Sequence, residues 1–327
     1  MHYTSINNQH VLIAPLDWGM GHTTRCIPII KALLAQQCTV TIACNANQQL
    51  FYKKEFEADN NLSYQALQGY SVFYWSRFFT LAITLQIPKI ALKILQEKRW
   101  LAHYLQYNTC QVIISDNRYG LYHPSVTSII ITHQLQIITP YFKYIINNTI
   151  ARAINNFNTC WIPDNANENQ RLSGELSTNT KVTIPTQYIG ILSRMVLPNL
   201  TKTSNSILVL LTGPVNAKKY LFKLIKNYYC NTTQVITIVN VPNASILYYL
   251  KKQGNIKVLP TVNTALLQQL IATHETIITY SGYTSIMDFY TLQQPVLLIA
   301  TPNQPEQEYL LKHVCNTFPK LFTPFIN

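Results

Sequence analysis

Hydrophobic residues in this chain fall into short, dense runs, and between the runs they recur at intervals of three to four. In the first half the dense runs are HVLIAPL (10–16), CTVTIAC (38–44), CQVIISD (110–116), SIIITHQ (128–134) and NTCWIP (158–163). Helical spacing separates them, most clearly over 24–36, 86–106 and 140–155. A second series follows: SILVLLTG (206–213), QVITIVN (234–240), NIKVLP (255–260), ETIITY (275–280) and PVLLIAT (295–301). Runs of this length, apolar throughout rather than alternating, predict strands buried on both faces in parallel sheets joined by helices. The polar, proline-containing stretch SRMVLPNLTKTSNS between the series has no period and is the expected linker. The predicted architecture is α/β, two Rossmann-like doubly wound domains facing across a cleft. The expected boundaries are 1–192 for the first domain, 193–206 for the linker and 207–327 for the second.

Length agrees with two domains, since 327 residues exceed what one core usually serves. The net charge of +12, from 25 Lys and Arg against 13 Asp and Glu, is spread along the chain and favours anionic partners. No block of like charge accompanies interleaved aromatics, so nucleic acid is not an expected partner. Seven cysteines, none in a CxxC pair or near clustered histidines, argue against a disulfide framework or a zinc site and for a reducing cytoplasm. The first residues, MHYTSINNQH, lack a signal-peptide core, and no run of eighteen uncharged apolar residues predicts a membrane span.

Only nine glycines occur, well below the usual ~7% of residues. Gly19, Gly21, Gly120, Gly213 and Gly282 fall at or just beyond predicted strand ends, where open α/β sheets bind ligands. The first such end reads Asp17-Trp18-Gly19-Met20-Gly21-His22-Thr23-Thr24-Arg25. It is not the dinucleotide fingerprint, because Thr24 stands where the third glycine belongs, and it lacks the GK[ST] of a phosphate loop. Gly19 and Gly21 let the backbone approach a ligand. His22 suits a general base that deprotonates a hydroxyl, or else simply caps the helix. Asp116 ends the strand CQVIISD and can orient such a base; otherwise it closes a turn. Arg118 and His133 are further candidates for the wall that faces an acceptor.

In the second half, TYSGYTSIMDFYTL reads strand, tight turn, helix. Ser281, Gly282 and Tyr283 lie at the helix start, where backbone N–H groups can hold a diphosphate. Asp288 is placed to accept hydrogen bonds from a vicinal diol, or is simply solvated. Gln304, Glu306, Gln307 and Glu308 form a polar group suited to sugar hydroxyls, although acids at a helix N-terminus are also favoured by the dipole. No Asp-x-Asp pair is present, which disfavours a nucleotide held through a chelated metal.

Taken together, DWGMGHTTRCIPII, IISDNRYGLYHPSV, ITHQL, YSGYTSIMD and TPNQPEQEYL resemble an uncharacterised bacterial group of GT-B glycosyltransferases. That group is similar to the UDP-N-acetylglucosamine transferase of peptidoglycan lipid-intermediate synthesis. The resemblance runs from about residue 10 to 315 in the right order. It implies a nucleotide-sugar donor on the C-terminal domain and an acceptor on the N-terminal one; with the missing Asp-x-Asp pair, the expected reaction is an inverting, metal-independent transfer without a cofactor. Carried over by position, GMGH faces the acceptor with His22 as base, and Asp116 resembles its partnering acid. Ser281 and Gly282 match the turn over the diphosphate, Asp288 the ribose acid, and Gln307 and Glu308 the pair on the donor sugar; Gly213, at the end of the strand 206–213, is a further candidate on the nucleotide-sugar side.

This chain departs from the pattern after strand 206–213, where TGPVNAKKY has one glycine and Lys218 or Lys219 could replace the missing phosphate contact. It also ends at Asn327, leaving little room for the further helix many GT-B proteins carry, which bears on domain closure. The basic, aromatic stretch 70–105 suits either a core helix pair with snorkelling lysines or contact with an anionic membrane and a lipid-linked acceptor. The expected location is the cytoplasm, and on the membrane reading the inner face of the cell membrane. Competing readings are a nucleotide-sugar 2-epimerase on the same fold, an NAD-dependent oxidoreductase and a non-catalytic binder of anionic polymers. The oxidoreductase is weakened by Cys44-Asn45, where an acidic ribose ligand is expected.

Overall fold

The structure, a computed structural model, describes residues 6–56, 59–69, 79–139, 142–229, 232–241 and 255–325. Residues 70–78 of the basic aromatic stretch, 140–141 of a predicted helix, and Cys230 lie outside these. Two compact units divide between Arg194 and Met195.

In the first unit the strands are β1 (His10–Pro15), β2 (Thr39–Cys44), β3 (Leu62–Ala66), β4 (Val112–Asp116), β5 (Thr127–Ile131), β6 (Thr159–Ile162) and β7 (Thr186–Tyr188). The helices are α1 (Met20–Arg25), α2 (Ile27–Ala35), α3 (Ala46–Glu55), α4 (Phe79–Tyr107) and α5 (Lys143–Ile154). The sheet is parallel with order β3-β2-β1-β4-β5-β6-β7. Val11 to Ala14 of β1 are fully buried, which is why the run reads as continuously apolar. The helix predicted over 24–36 is two helices. Pro28 lies in the first turn of α2, where it needs no N–H partner, whereas inside one continuous helix it would break the ladder.

The second unit contains β8 (Thr203–Leu210), α6 (Val215–Tyr228), β9 (Val235–Val239), β10 (Ile256–Leu259), α7 (Thr264–Thr273), β11 (His274–Tyr280), α8 (Tyr283–Leu292), β12 (Val296–Ile299), α9 (Pro305–Thr317) and β13 (Phe322–Pro324). Its parallel order is β10-β9-β8-β11-β12-β13. The predicted linker is too long at its C-terminal end, because 203–206 already belong to β8. Three strands escape sequence detection: β3, β7 and β13. Each is a short edge strand with exposed positions, so no apolar run marks it.

In both units the strand order reverses beside the first strand of the unit, between β1 and β4 and between β8 and β11. Such reversal points open a crevice at the carboxyl ends of the strands. The register puts Asp116 opposite Pro15, so the end of β4 lies against the loop that leads to His22. No described helix is long and apolar enough to cross a membrane.

One glycine permits the close packing of α4 against the loop after β4. A Cβ on Gly120 would sit 2.4 Å from the Ile94 carbonyl oxygen and 2.6 Å from the Glu97 Cβ. Backbone cannot yield to this without moving the helix, so Gly120→Ala is expected to cost about 3 kcal/mol, the upper end of ordinary overpacking. Urea unfolding measures this; a cost below about 1 kcal/mol would mean that α4 shifts freely.

Candidate active site

At the reversal point of the first unit, β1 ends and the chain turns tightly. Gly19 N–H donates to the Asp17 carbonyl at 2.9 Å, and Gly19 takes a φ of 98°, which glycine alone adopts without strain. The turn opens into α1, whose residues His22 and Arg25 are three apart and therefore share a face. That face meets Asp116. His22 Nδ1 lies 3.1 Å from Asp116 Oδ2, Arg25 Nε donates to the same oxygen at 2.9 Å, and Arg25 Nη2 donates to Oδ1. The Cys26 thiol also points at Oδ2, at 3.6 Å.

Burial by itself would raise the Asp116 pKa, but the guanidinium of Arg25 and the His22 ring hold it well below the usual carboxylate range. The carboxylate is therefore ionised and can only accept, so the His22 proton is on Nδ1 and the lone pair is on Nε2. Burial lowers the His22 pKa, as does the charge of Arg25, against the opposing pull of Asp116. The ring is neutral near pH 7, as a base must be before it acts. His22 retains 17% side-chain exposure, whereas Asp116 is fully enclosed. Among the described residues Nε2 makes no hydrogen bond.

Helix α3 fixes this loop from behind. Gln48 Nε2 donates to the Leu16 carbonyl at 3.2 Å and to Thr23 Oγ1 at 2.9 Å, and the Tyr52 hydroxyl donates to the Thr23 carbonyl at 2.8 Å. Asn45 caps α3 through a reciprocal capping box with Gln48. The residue after β2 is thus a helix cap rather than a ribose ligand.

Several expectations change. Arg118 does not face an acceptor. It is fully buried, donates to the Pro15 carbonyl at 2.9 Å and to Glu97 Oε1 at 2.9 Å, and lies 3.8 Å from Asp17 Oδ1. Its role here is to fasten α4 beneath the loop. His133 is also buried and stands behind Arg25, its Nδ1 3.3 Å from Arg25 Nη1. Gly21 lies within α1 rather than in an open loop. Arg25, Gln48 and Tyr52 stand at no strand end, and the i, i+3 spacing of His22 and Arg25 is the one sign of them in the sequence.

In the second unit, Gly213 is exposed at the end of β8 with a φ of 80°. Gly282 is the N-cap of α8, and no side-chain cap occupies that end. A Cβ at Gly282 would meet nothing within 4 Å among the described residues. Ser281 does not offer free groups as expected. Its N–H donates to the Ile299 carbonyl and its hydroxyl to the Gln307 carbonyl, both at 2.9 Å, which locks β11 to β12 and α9. Tyr283 is buried, and Asp288 is half-buried in the second turn of α8.

The polar group after β12 is partly structural. Gln307 Oε1 accepts from the Thr301 N–H at 2.9 Å, and Glu308 Oε1 accepts from the Asn303 N–H at 3.1 Å. These bonds hold the loop that leads into α9, with Gln304 as N-cap and Glu306 in the first turn. Gln307 is buried by this arrangement, so only Glu308 of the predicted sugar-reading pair is exposed.

No protein-family model and no curated protein sequence matches this chain. Solved structures do. A UDP-glucosyltransferase from Polygonum tinctorium capable of glucosylating indoxyl aligns with a TM-score of 0.61 at 13% identity, over 94% of this chain and 83% of its own. Glycyrrhiza uralensis UGT73P12, complexed with glycyrrhetinic acid 3-O-monoglucuronide, gives 0.61 at 12% identity over 97% and 81%. Phytolacca americana UGT2, complexed with UDP-2-fluoro-glucose and pterostilbene, gives 0.60 at 11% over 95% and 84%. At such identities the likeness is one of fold: this chain has the two parallel-sheet α/β domains of the GT-B glycosyltransferase structures.

Proposed function

We propose that this chain is a glycosyltransferase that moves a sugar from a nucleotide diphosphate donor, a UDP-sugar, to an acceptor hydroxyl. The observation that carries the reading is the pair at the first reversal point: a neutral, partly exposed His22 whose Nδ1–H is held by an enclosed, ionised Asp116. In the proposed reaction His22 Nε2 accepts the acceptor proton as the acceptor oxygen attacks the anomeric carbon. The nucleoside diphosphate departs from the opposite face, so the configuration inverts. Asp116 stabilises the imidazolium as it forms.

The donor is assigned to the second unit and the acceptor to the first. Gly213 and the uncapped start of α8 at Gly282 would meet the diphosphate. Asp288 would accept from ribose hydroxyls, and Glu308 with the neighbouring Gln304 and Glu306 from the sugar. Metal independence rests on the missing Asp-x-Asp pair.

The nearer likeness to the lipid-intermediate transferase rests on YSGYTSIMD and TPNQPEQEYL, and it extends the proposal to a lipid-linked acceptor at an anionic membrane face. Helix α4 supports that extension where Leu92 and Leu95, 60% and 50% exposed, lie on a helix that also carries Lys89 and Lys93.

A thermal-shift series with UDP, UDP-sugars and NADH tests the donor. A UDP-sugar at 100 times its Kd is expected to stabilise the chain by about 2.7 kcal/mol. Stabilisation by NADH with no response to any UDP compound would overturn the proposal in favour of the oxidoreductase.

A further inference from the structure

Asp116 does not serve His22 alone. Arg25 takes both of its oxygens, Oδ2 through Nε at 2.9 Å and Oδ1 through Nη2, and its remaining nitrogen lies 3.3 Å from His133 Nδ1. Arg25 and Asp116 are 2% and 0% exposed, so water does not screen this contact as it would a surface pair. A guanidinium keeps its charge at any working pH. Resting, the group of Arg25, Asp116 and His22 is neutral overall; with His22 protonated it holds one net positive charge in an enclosed place. A carboxylate paired only with the histidine would reach neutrality in the protonated state instead.

We propose that Arg25 is the positioning residue of the pair: it clamps Asp116 so that His22 holds its proton on Nδ1, and its charge weakens His22 as a base by offsetting part of the stabilisation that the carboxylate gives the imidazolium. The proposal rests on the reading of His22 as the base. Burial lowers the proton affinity of His22 first and the charge of Arg25 second; of the other ionisable groups around the pair only His133 acts in the same direction, and least. Cys26, at the end of α1, is a thiol kept protonated by burial and by Asp116. Tyr52 from α3 and Tyr119 from the loop after β4 are kept protonated chiefly by burial. His133, after β5, accepts from Arg25 on Nδ1 and reaches His22 only as a minor charge. The consequence for catalysis is a base that remains unprotonated into mildly acidic solution and is matched to the more acidic hydroxyls among possible acceptors.

Nitrogen-15 NMR of the eight histidines in the full chain tests this, with the His22 signal identified by its loss in His22→Gln. Wild-type His22 is expected to show the Nδ1–H tautomer and to titrate below the ordinary value of about 6.5. A midpoint at or above that value overturns the proposal without any variant. In Arg25→Met the proton affinity of His22 is expected to rise about tenfold, one unit in midpoint. A folded Arg25→Met chain with an unchanged midpoint overturns the charge argument.

If Arg25→Met does not fold, Arg25→Lys serves, since it retains the charge without the fork. Its midpoint is expected to stay low while the single tautomer gives way to a mixture. Return of the midpoint to the ordinary value, or an undisturbed tautomer, refutes the assignment. The readout needs no substrate. A chain that passes it yet transfers no sugar refutes the glycosyltransferase reading and leaves the role of Arg25 intact.

Discussion

His22→Ala is expected to remove sugar transfer, by about a hundredfold to ten-thousandfold, the usual contribution of a positioned general base. Stability should fall only modestly. The substitution deletes one hydrogen bond to the ionised Asp116 from a side chain that is 17% exposed, and Asp116 keeps both contacts with Arg25. A cost of no more than about 1.5–3 kcal/mol follows. Donor binding should also persist, because the donor is assigned to the second unit. Calorimetric titration with the UDP-sugar found by thermal shift, run beside a product assay, separates the two effects. Turnover within threefold of wild type would sink the assignment of His22 as base. Loss of donor affinity along with turnover would instead point to a nucleotide at the first loop.

Asp116→Ala should behave quite differently, because it strands Arg25. Removing one partner of an enclosed ion pair leaves an uncompensated charge and costs about 3–5 kcal/mol, whereas removing both is often close to neutral. The double variant Arg25→Met with Asp116→Ala is therefore expected to lose less stability than the two single losses added together, with an interaction energy of about 1–3 kcal/mol. Urea unfolding of all four chains supplies the cycle. Strict additivity, or a loss of under about 1 kcal/mol in Asp116→Ala, would show that the contact adds nothing to stability.

The pH dependence has a definite sign. The folded pKa of Asp116 lies below its unfolded value of about 3.9, so its contribution is present in full above that value. As the pH falls towards the folded value, protons bind the unfolded chain first and the contribution is lost. The gap between wild type and Asp116→Ala should narrow in strong acid. A gap that widened there would contradict the pairing.

Much of the candidate site was legible because strand ends announce themselves. An apolar run that stops at Asp116, and another that stops just before Asp17, must deliver those residues to one edge if both strands lie in the same parallel sheet. The glycines at 19 and 282 marked turns for the same reason. Less legible were the side chains that stand at strand ends yet turn inward. Arg118 follows β4 as closely as a ligand-binding residue would, and only the arrival of Glu97 from α4 shows it to be a fastener. Gln307 reads as part of a polar cluster, but the Thr301 N–H ahead of it donates to its side-chain Oε1. Backbone donors in loops must be satisfied by something nearby, and sequence does not say which side chain will do it.

By itself, then, the sequence determined the class of fold. Buried parallel strands demand continuous apolar runs, and the helices between them demand a period near 3.6, so both can be read locally. The sequence also singled out His22 and Asp116 as candidates, from residue type and position at strand ends. What it left open was whether they meet, and what else meets them. Arg25 and Asp116 are 91 positions apart, and their contact exists only because the register of β1 on β4 brings α1 over the end of β4. The state of charge of the pair is likewise a tertiary property. It depends on exclusion of water and on a cation three residues from the histidine, neither of which a strand or helix carries within itself.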